Sequence, residues 1–316
     1  MHKNTLQKIA ENLFVALQYL LPHHLLSRLM HAITRSERKV VKDRLIRHAI
    51  AWYGVDMSEA RENDPQRYRS FNDFFTRALR ADARPVASLA EQIACPVDGA
   101  LSQAGEIEQG YLFQAKGHDY SLVELLGGDP RLSRLFEGGH FATIYLSPRD
   151  YHRIHMPYGG KLERMVHVPG RLFSVNETTC QKVPRLFARN ERVISLFETG
   201  IGPMAMILVG AIFVSSIDTV WAGTVTPARR RVRSWDYRGE PAATPCELEK
   251  GEEMGRFNMG STVILLFGKD AVTWNDTLSP GKRLKMGEAI GTAPSCAAAS
   301  DDNPPLGNAT PIDSSR

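Results

Sequence analysis

Met259-Gly260-Ser261-Thr262 runs directly into Val263-Ile264-Leu265-Leu266-Phe267, and these nine residues decide how the chain is read. The unbroken apolar run reads as a buried β-strand. A hydroxyl nucleophile thus stands at the mouth of a core strand, behind a glycine whose missing Cβ permits strained backbone near a reacting group. That order suits attack by Ser261 Oγ on the carbonyl of its own neighbour, Gly260. The same residues would serve as an ordinary turn, so the rest of the chain decides between the two.

Working outward, the region after about residue 94 is β-rich. Strands are predicted over Phe141–Leu146, Lys161–Val168, Met206–Val214, Thr219–Val225 and Ser261–Phe267. Ser121-Leu122-Val123-Glu124 has the form of a capping box opening a short helix that ends at Gly127-Gly128. Upstream the period changes. Leu6, Ile9, Ala10, Leu13, Phe14, Leu17, Leu20 and Leu21 recur at helical spacing until Pro22. Leu25 to Ile33 and Val41 to Ile50 predict two more helices, and Phe71, Phe74 and Phe75 read as core anchors. From residue 294 the chain turns to Ala, Ser, Asp and Pro without apolar period, the composition of a disordered tail. The expected fold class is α+β, with a helical region at 1–90 packed on a β-rich catalytic domain at 91–293.

The 316 residues, 43% hydrophobic and 23% charged, suffice for a sizeable core. Net charge is +4, but residues 1–50 hold nine Lys/Arg against three Asp/Glu, so the remainder is slightly acidic. The basic, amphipathic start calls for an anionic partner, either a membrane surface or nucleic acid. Four cysteines without close pairs give no disulfide framework or zinc signature and fit a reducing compartment. No secretory signal is expected, because Leu13–Leu21 runs into Pro22-His23-His24 without a small-residue cleavage site. The longest apolar run, Met204–Val214, falls well short of the roughly 20 residues needed to span a bilayer.

Two further segments carry chemistry. Asp98 lies in Cys95-Pro96-Val97-Asp98-Gly99, which reads as a turn. His152 and His155 lie three apart between Pro148 and Pro157, in a segment too short for a stable helix and read as loop running into strand. Asp98, His155 and Ser261 supply the types a nucleophilic triad needs: a carboxylate to orient an imidazole, an imidazole to take the hydroxyl proton, and an oxygen to attack. No Gly-x-Ser-x-Gly elbow surrounds Ser261. A metal-dependent hydrolase using His152, His155 and Asp98 is a second reading, although no further ligand pair has suitable spacing. A non-catalytic membrane-surface binding protein is a third.

The chain resembles the bacterial phosphatidylserine decarboxylases. The resemblance rests on Phe71-Asn72-Asp73-Phe74-Phe75, Pro96-Val97-Asp98-Gly99, Lys116-Gly117-His118-Asp119-Tyr120-Ser121-Leu122, the block Tyr145 to Pro157, Phe173-Ser174-Val175-Asn176 and Gly260-Ser261-Thr262. The block containing both histidines is the most specific. Met259 stands where the family usually has Leu, a swap of similar volume.

The resemblance implies a proenzyme. His155, oriented by Asp98, would deprotonate Ser261 for autocatalytic cleavage at Gly260-Ser261. Ser261 would become a covalent pyruvoyl group, the only cofactor implied and the Schiff-base site for the substrate amine, with no metal. His152 would contact the substrate carboxylate or assist its loss. The cleavage products 1–260 and 261–316 would stay associated, in a homodimer. The partner would be phosphatidylserine in anionic membranes, with no nucleic acid, and the location peripheral on the cytoplasmic face of the inner membrane.

Overall fold

The computed structural model describes residues 5–115, 117–212, 216–226, 231–238 and 246–294, with Ser261 described by its backbone alone. The tail expected at 294–316 lies almost wholly outside the described residues, as do residues 213–214 of one expected strand.

The strand Ser261–Phe267 sits inside a nine-stranded antiparallel sheet, between Gly202–Val209 on one side and His140–Leu146 on the other. Beyond Gly202–Val209 come Arg192–Thr199, Gly160–Val168 and, both paired with the latter, Arg233–Asp236 and Glu247–Leu248. Beyond His140–Leu146 come Gly99–Glu106 and Arg283–Leu284. Val263 to Phe267 are all fully buried, which is why the sequence shows no polar alternation there. A four-stranded sheet, ordered Gly223–Thr224, Ser216–Thr219, Glu253–Asn258 and Arg153–His155, lies beside it.

Two local expectations change. The single strand expected over Thr219–Val225 is a hairpin, because Gly223 adopts φ +61° and folds Gly223–Thr224 back onto Asp218 and Thr219. The capping box at Ser121 does not form. Ser121 precedes the helix Leu122–Leu125, but its hydroxyl accepts no backbone N–H. The helix still ends at Gly127 and Gly128, both at positive φ.

The three N-terminal helices are α1 Thr5–Leu20, α2 His23–Thr34 and α3 Lys39–Tyr53. α3 stops at Gly54, whose left-handed backbone lets its N–H reach Ile50 O at 3.0 Å. Their docking inverts the ordinary arrangement. The residues buried on α1 and α2 are Gln18, His23, Ser27 and Thr34. Leu6, Leu13 and Leu20 are 73%, 69% and 81% exposed, and Leu25 and Leu29 also face outward. Gln18 Oε1 accepts from Ser174 N at 3.0 Å, so a polar contact fastens α1 to the β-rich part. α3 packs differently: Ile46 and Ala49 join Val55, Tyr68, Phe71, Phe74 and Phe75 in a small second core, against which Met259 also packs.

Candidate active site

Met259 and Gly260 link Glu253–Asn258 in the smaller sheet to Ser261–Phe267 in the larger one. Both take left-handed backbone, φ +84° and +36°. For Gly260 this costs little, whereas a non-glycine residue there is uncommon and strained. The turn is held from both ends. Asn258 Oδ1 accepts from Asn72 at 2.9 Å and its Nδ2 donates to Ser216 Oγ at 2.6 Å. Ser261 is paired with Leu146 from the first residue of its strand. Strain persists where surroundings over-determine it, and such places concentrate at reactive sites. Met259 and Gly260 also line an apolar cavity of about 900 Å³ between the helices and the sheet, with Leu17, Trp52, Phe75 and Tyr145 among its walls.

The histidine segment is carried to this turn from both sides. Leu146, the partner of Ser261, is followed by a turn in which Asp150 Oδ2 accepts from both Ser147 N and Ser147 Oγ at 2.7 Å. The chain then pairs back onto the strand leading into Met259-Gly260, His155 opposite Glu253 and Arg153 opposite Arg256. His152 O accepts from Phe257 N at 3.0 Å. Along this strand His152 is therefore the nearer histidine to Gly260-Ser261.

His152 is fully buried, its ring 4.0 Å from the Phe75 ring. Its Nδ1 bonds to Asp150 O at 2.7 Å. A carbonyl only accepts, so Nδ1 carries the hydrogen and Nε2 is a bare acceptor, buried without a partner among the described residues. Burial pushes its pKa down to about 3, so the ring is neutral around pH 7.

His155 Nδ1 donates to Gly251 O at 2.8 Å, leaving Nε2 to accept from Tyr151 OH at 3.0 Å. Burial again lowers the pKa, giving a neutral base. Asp98 and His155 are neighbours, since the His155 amide donates to Pro96 O at 2.9 Å. The carboxylate–imidazole bond expected of a triad is nevertheless absent among the described residues. Asp98 is buried rather than in an open turn, and it accepts from Arg84 Nε at 2.9 Å, Arg84 Nη2 at 2.5 Å and Met286 N at 2.8 Å. Arg84 also reaches Glu59 at 2.7 Å.

Sequence reasoning thus missed Arg84, Tyr151 and Gly251. Tyr151 stood inside the quoted block, four residues before His155, and that spacing was the available signal. Arg84 and Gly251 gave none, because their partners are remote in sequence. Among the described residues no three His, Cys, Asp or Glu side chains gather as a metal site. Nδ1 of each histidine is bonded to a backbone carbonyl and Asp98 to Arg84, which leaves the histidines only their Nε2 atoms.

A family model described as phosphatidylserine decarboxylase matches residues 71–292, and one described as PSD matches 13–54. The phosphatidylserine decarboxylase proenzyme of Bordetella petrii is 57% identical over 280 residues, 89% of this chain and 97% of that protein. That of Pseudomonas aeruginosa is 57% identical over 280 residues, 89% of this chain and 96% of its own length. That of Stutzerimonas stutzeri is 55% identical over 291 residues, 92% and 98% of the two chains. The matched span takes in the strained turn, both histidines and the central strand, so the resemblance carried by the motifs holds across the site itself: the chain belongs to the phosphatidylserine decarboxylase family.

Proposed function

We propose that this protein decarboxylates phosphatidylserine to phosphatidylethanolamine and CO2 after cutting itself between Gly260 and Ser261. The observation that carries the reading is the strained Met259-Gly260 turn, set in the wall of a large apolar cavity and leading straight into a strand that begins with serine. Ser261 Oγ attacks the Gly260 carbonyl as His155 Nε2 takes its proton. The amide becomes an ester, elimination releases Gly260 as a carboxylate, and water replaces ammonia at position 261 to leave a pyruvoyl cap. The reacting groups are neighbours in one chain, so their effective concentration is very high.

The surroundings fit such a group: a buried imidazole nitrogen behind Phe75 has no partner among the described residues, and the cavity lined by Met259 and Gly260 suits a lipid's apolar part. The carbonyl supplies what side chains lack, an electron sink for the pair left when CO2 departs. His152, whose ring packs on Phe75 of the cavity wall, would contact the substrate carboxylate or assist its loss. The two products stay together because Ser261–Phe267 bonds to strands of the larger fragment on both sides and buries every side chain from Val263 to Phe267.

Among the described residues no helix is long and apolar enough to cross a membrane. The outward leucines of α1 and α2, beside the basic residues of the first 50, support attachment to the surface of an anionic, cytoplasm-facing bilayer. Denaturing mass spectrometry of the purified protein tests the whole reading. It expects one chain ending at Gly260 and one beginning with a pyruvoyl at 261. A single intact chain with unmodified Ser261 overturns it.

A further inference from the structure

The bond that orients the proposed base is not made by a carboxylate. His155 is held at both ring nitrogens, Nδ1 by Gly251 O at 2.8 Å and Nε2 by Tyr151 OH at 3.0 Å. Both holds are built in. Gly251 N donates to Met156 O at 2.8 Å and Met156 N to Glu252 O at 2.9 Å, which zips the 251–252 backbone to the strand bearing His155. Gly251 has φ +87°, and a Cβ there would stand 2.9 Å from Val86 Cγ2, so glycine is required for this carbonyl to sit where it does. Tyr151 is 5% exposed and its ring lies 5.6 Å from the imidazole. Burial pushes its phenol up to about 12, so it stays a donor throughout the range in which histidine titrates.

We propose that Tyr151 is the positioning residue of His155: its hydroxyl, together with the Gly251 carbonyl, sets the ring's tautomer and keeps Nε2 unprotonated until the serine proton arrives. This deepens the self-cleavage reading and rests on it only for the consequence at Ser261. Nε2 has one lone pair, so it takes the serine proton only once the Tyr151 hydroxyl has swung off it, and the donated bond is made to the neutral ring alone. The resulting imidazolium faces Glu253 on the paired strand and Asp98 beside the Pro96 backbone, both of which favour it. Arg153, on its own strand, opposes it. Asp98 thus acts through its field, while its oxygens remain bonded to Arg84 and Met286 N.

A hydrogen bond donated to Nε2 stabilises the neutral ring, so removing it raises the histidine pKa. The deciding measurement uses the full Ser261→Ala chain, which cannot cut itself, with isotope-labelled histidine followed by NMR from pH 4 to 8. His155 is identified by the signal lost in His155→Gln. The expected result is an Nδ1–H tautomer, and a rise of about half to one pH unit in the His155 pKa when Tyr151→Phe is added. An Nε2–H tautomer in the Ser261→Ala chain overturns the proposal without needing the Tyr151 variant to fold, and so does an unchanged pKa in a folded variant. With Ser261 restored, Tyr151→Phe should move the acid limb of self-cleavage upward by the same amount. Uniform slowing at every pH marks a merely structural tyrosine and overturns the proposal. If the wild-type chain does not cut itself at all, the self-cleavage reading fails, while the NMR result still decides whether Tyr151 governs His155.

Discussion

Arg84 grips Asp98 with two donors, Nε at 2.9 Å and Nη2 at 2.5 Å, and both side chains are almost wholly buried. The guanidinium's fork matches the carboxylate, which also takes Met286 N at 2.8 Å. A segment before the β-rich part is thereby tied to the backbone beside His155 and to the chain after the strand Ser261–Phe267. Replacing Arg84 with Met leaves a buried carboxylate without its cation, a loss of about 3–5 kcal/mol. Denaturant unfolding of the Ser261→Ala precursor, with and without Arg84→Met, measures it. A change below about 1 kcal/mol would mean that Asp98 finds water or another partner.

His155→Ala should remain a single chain, as should Ser261→Ala, because one lacks the base and the other the nucleophile. His152→Ala should still be cut but lose decarboxylation. Gel or mass analysis of the three proteins reads the outcome directly. Complete processing of His155→Ala would move the base role to His152, the nearer histidine along the paired strand.

Burial lowers the His155 pKa below its ordinary 6.5, so the neutral, proton-accepting ring persists to a lower pH than in a free histidine. The rate of self-cleavage should therefore be flat near neutrality and fall only below pH 6.5. Following precursor decay in buffers from pH 5 to 8 tests the sign. A midpoint above 6.5 would contradict it.

His152 has the same sign with a larger effect on stability. Its pKa is about 3 when folded, against 6.5 ordinarily, so the unfolded chain binds a proton that the folded chain refuses throughout that window. Its contribution is intact above pH 6.5, is lost at roughly 1.4 kcal/mol per pH unit below it, and levels off near 3. His152→Gln in the uncleavable chain should remove about one proton from the slope of stability against pH. An unchanged slope would show that His152 is charged when folded.

Gly260 has open space where a Cβ would go, but φ +36° puts an added methyl in strained backbone. Gly260→Ala should fold and cost about 1–2 kcal/mol. Thermal unfolding of the uncleavable chain measures the cost, and an equal stability would mean that the turn relaxes.

Leu6→Glu with Leu13→Glu should leave the melting temperature nearly unchanged, since both side chains already face water. Vesicle binding should drop more than tenfold, because each leucine withdrawn from an apolar phase forfeits about 1.5–3 kcal/mol. Co-sedimentation with phosphatidylserine-containing vesicles at low and high salt is the measurement. Unaltered binding would place the contact elsewhere.

The sequence by itself determined the elements whose surroundings are uniform. Val263 to Phe267 could be read as a core strand because every residue is buried, and α1 to α3 because their apolar residues recur every three to four positions. The presence of Asp98, His152, His155 and Ser261 was legible too, since chemistry restricts side-chain type. Periodicity reveals that a helix has an apolar face, but not what that face meets. Only the tertiary structure showed that α1 and α2 dock by Gln18, His23, Ser27 and Thr34 and turn their leucines outward. The same limit hid the partners of the site residues. A hydrogen bond depends on where two groups lie in space, and folding brought Arg84 to Asp98 and Gly251 to His155 across 14 and 96 positions of chain.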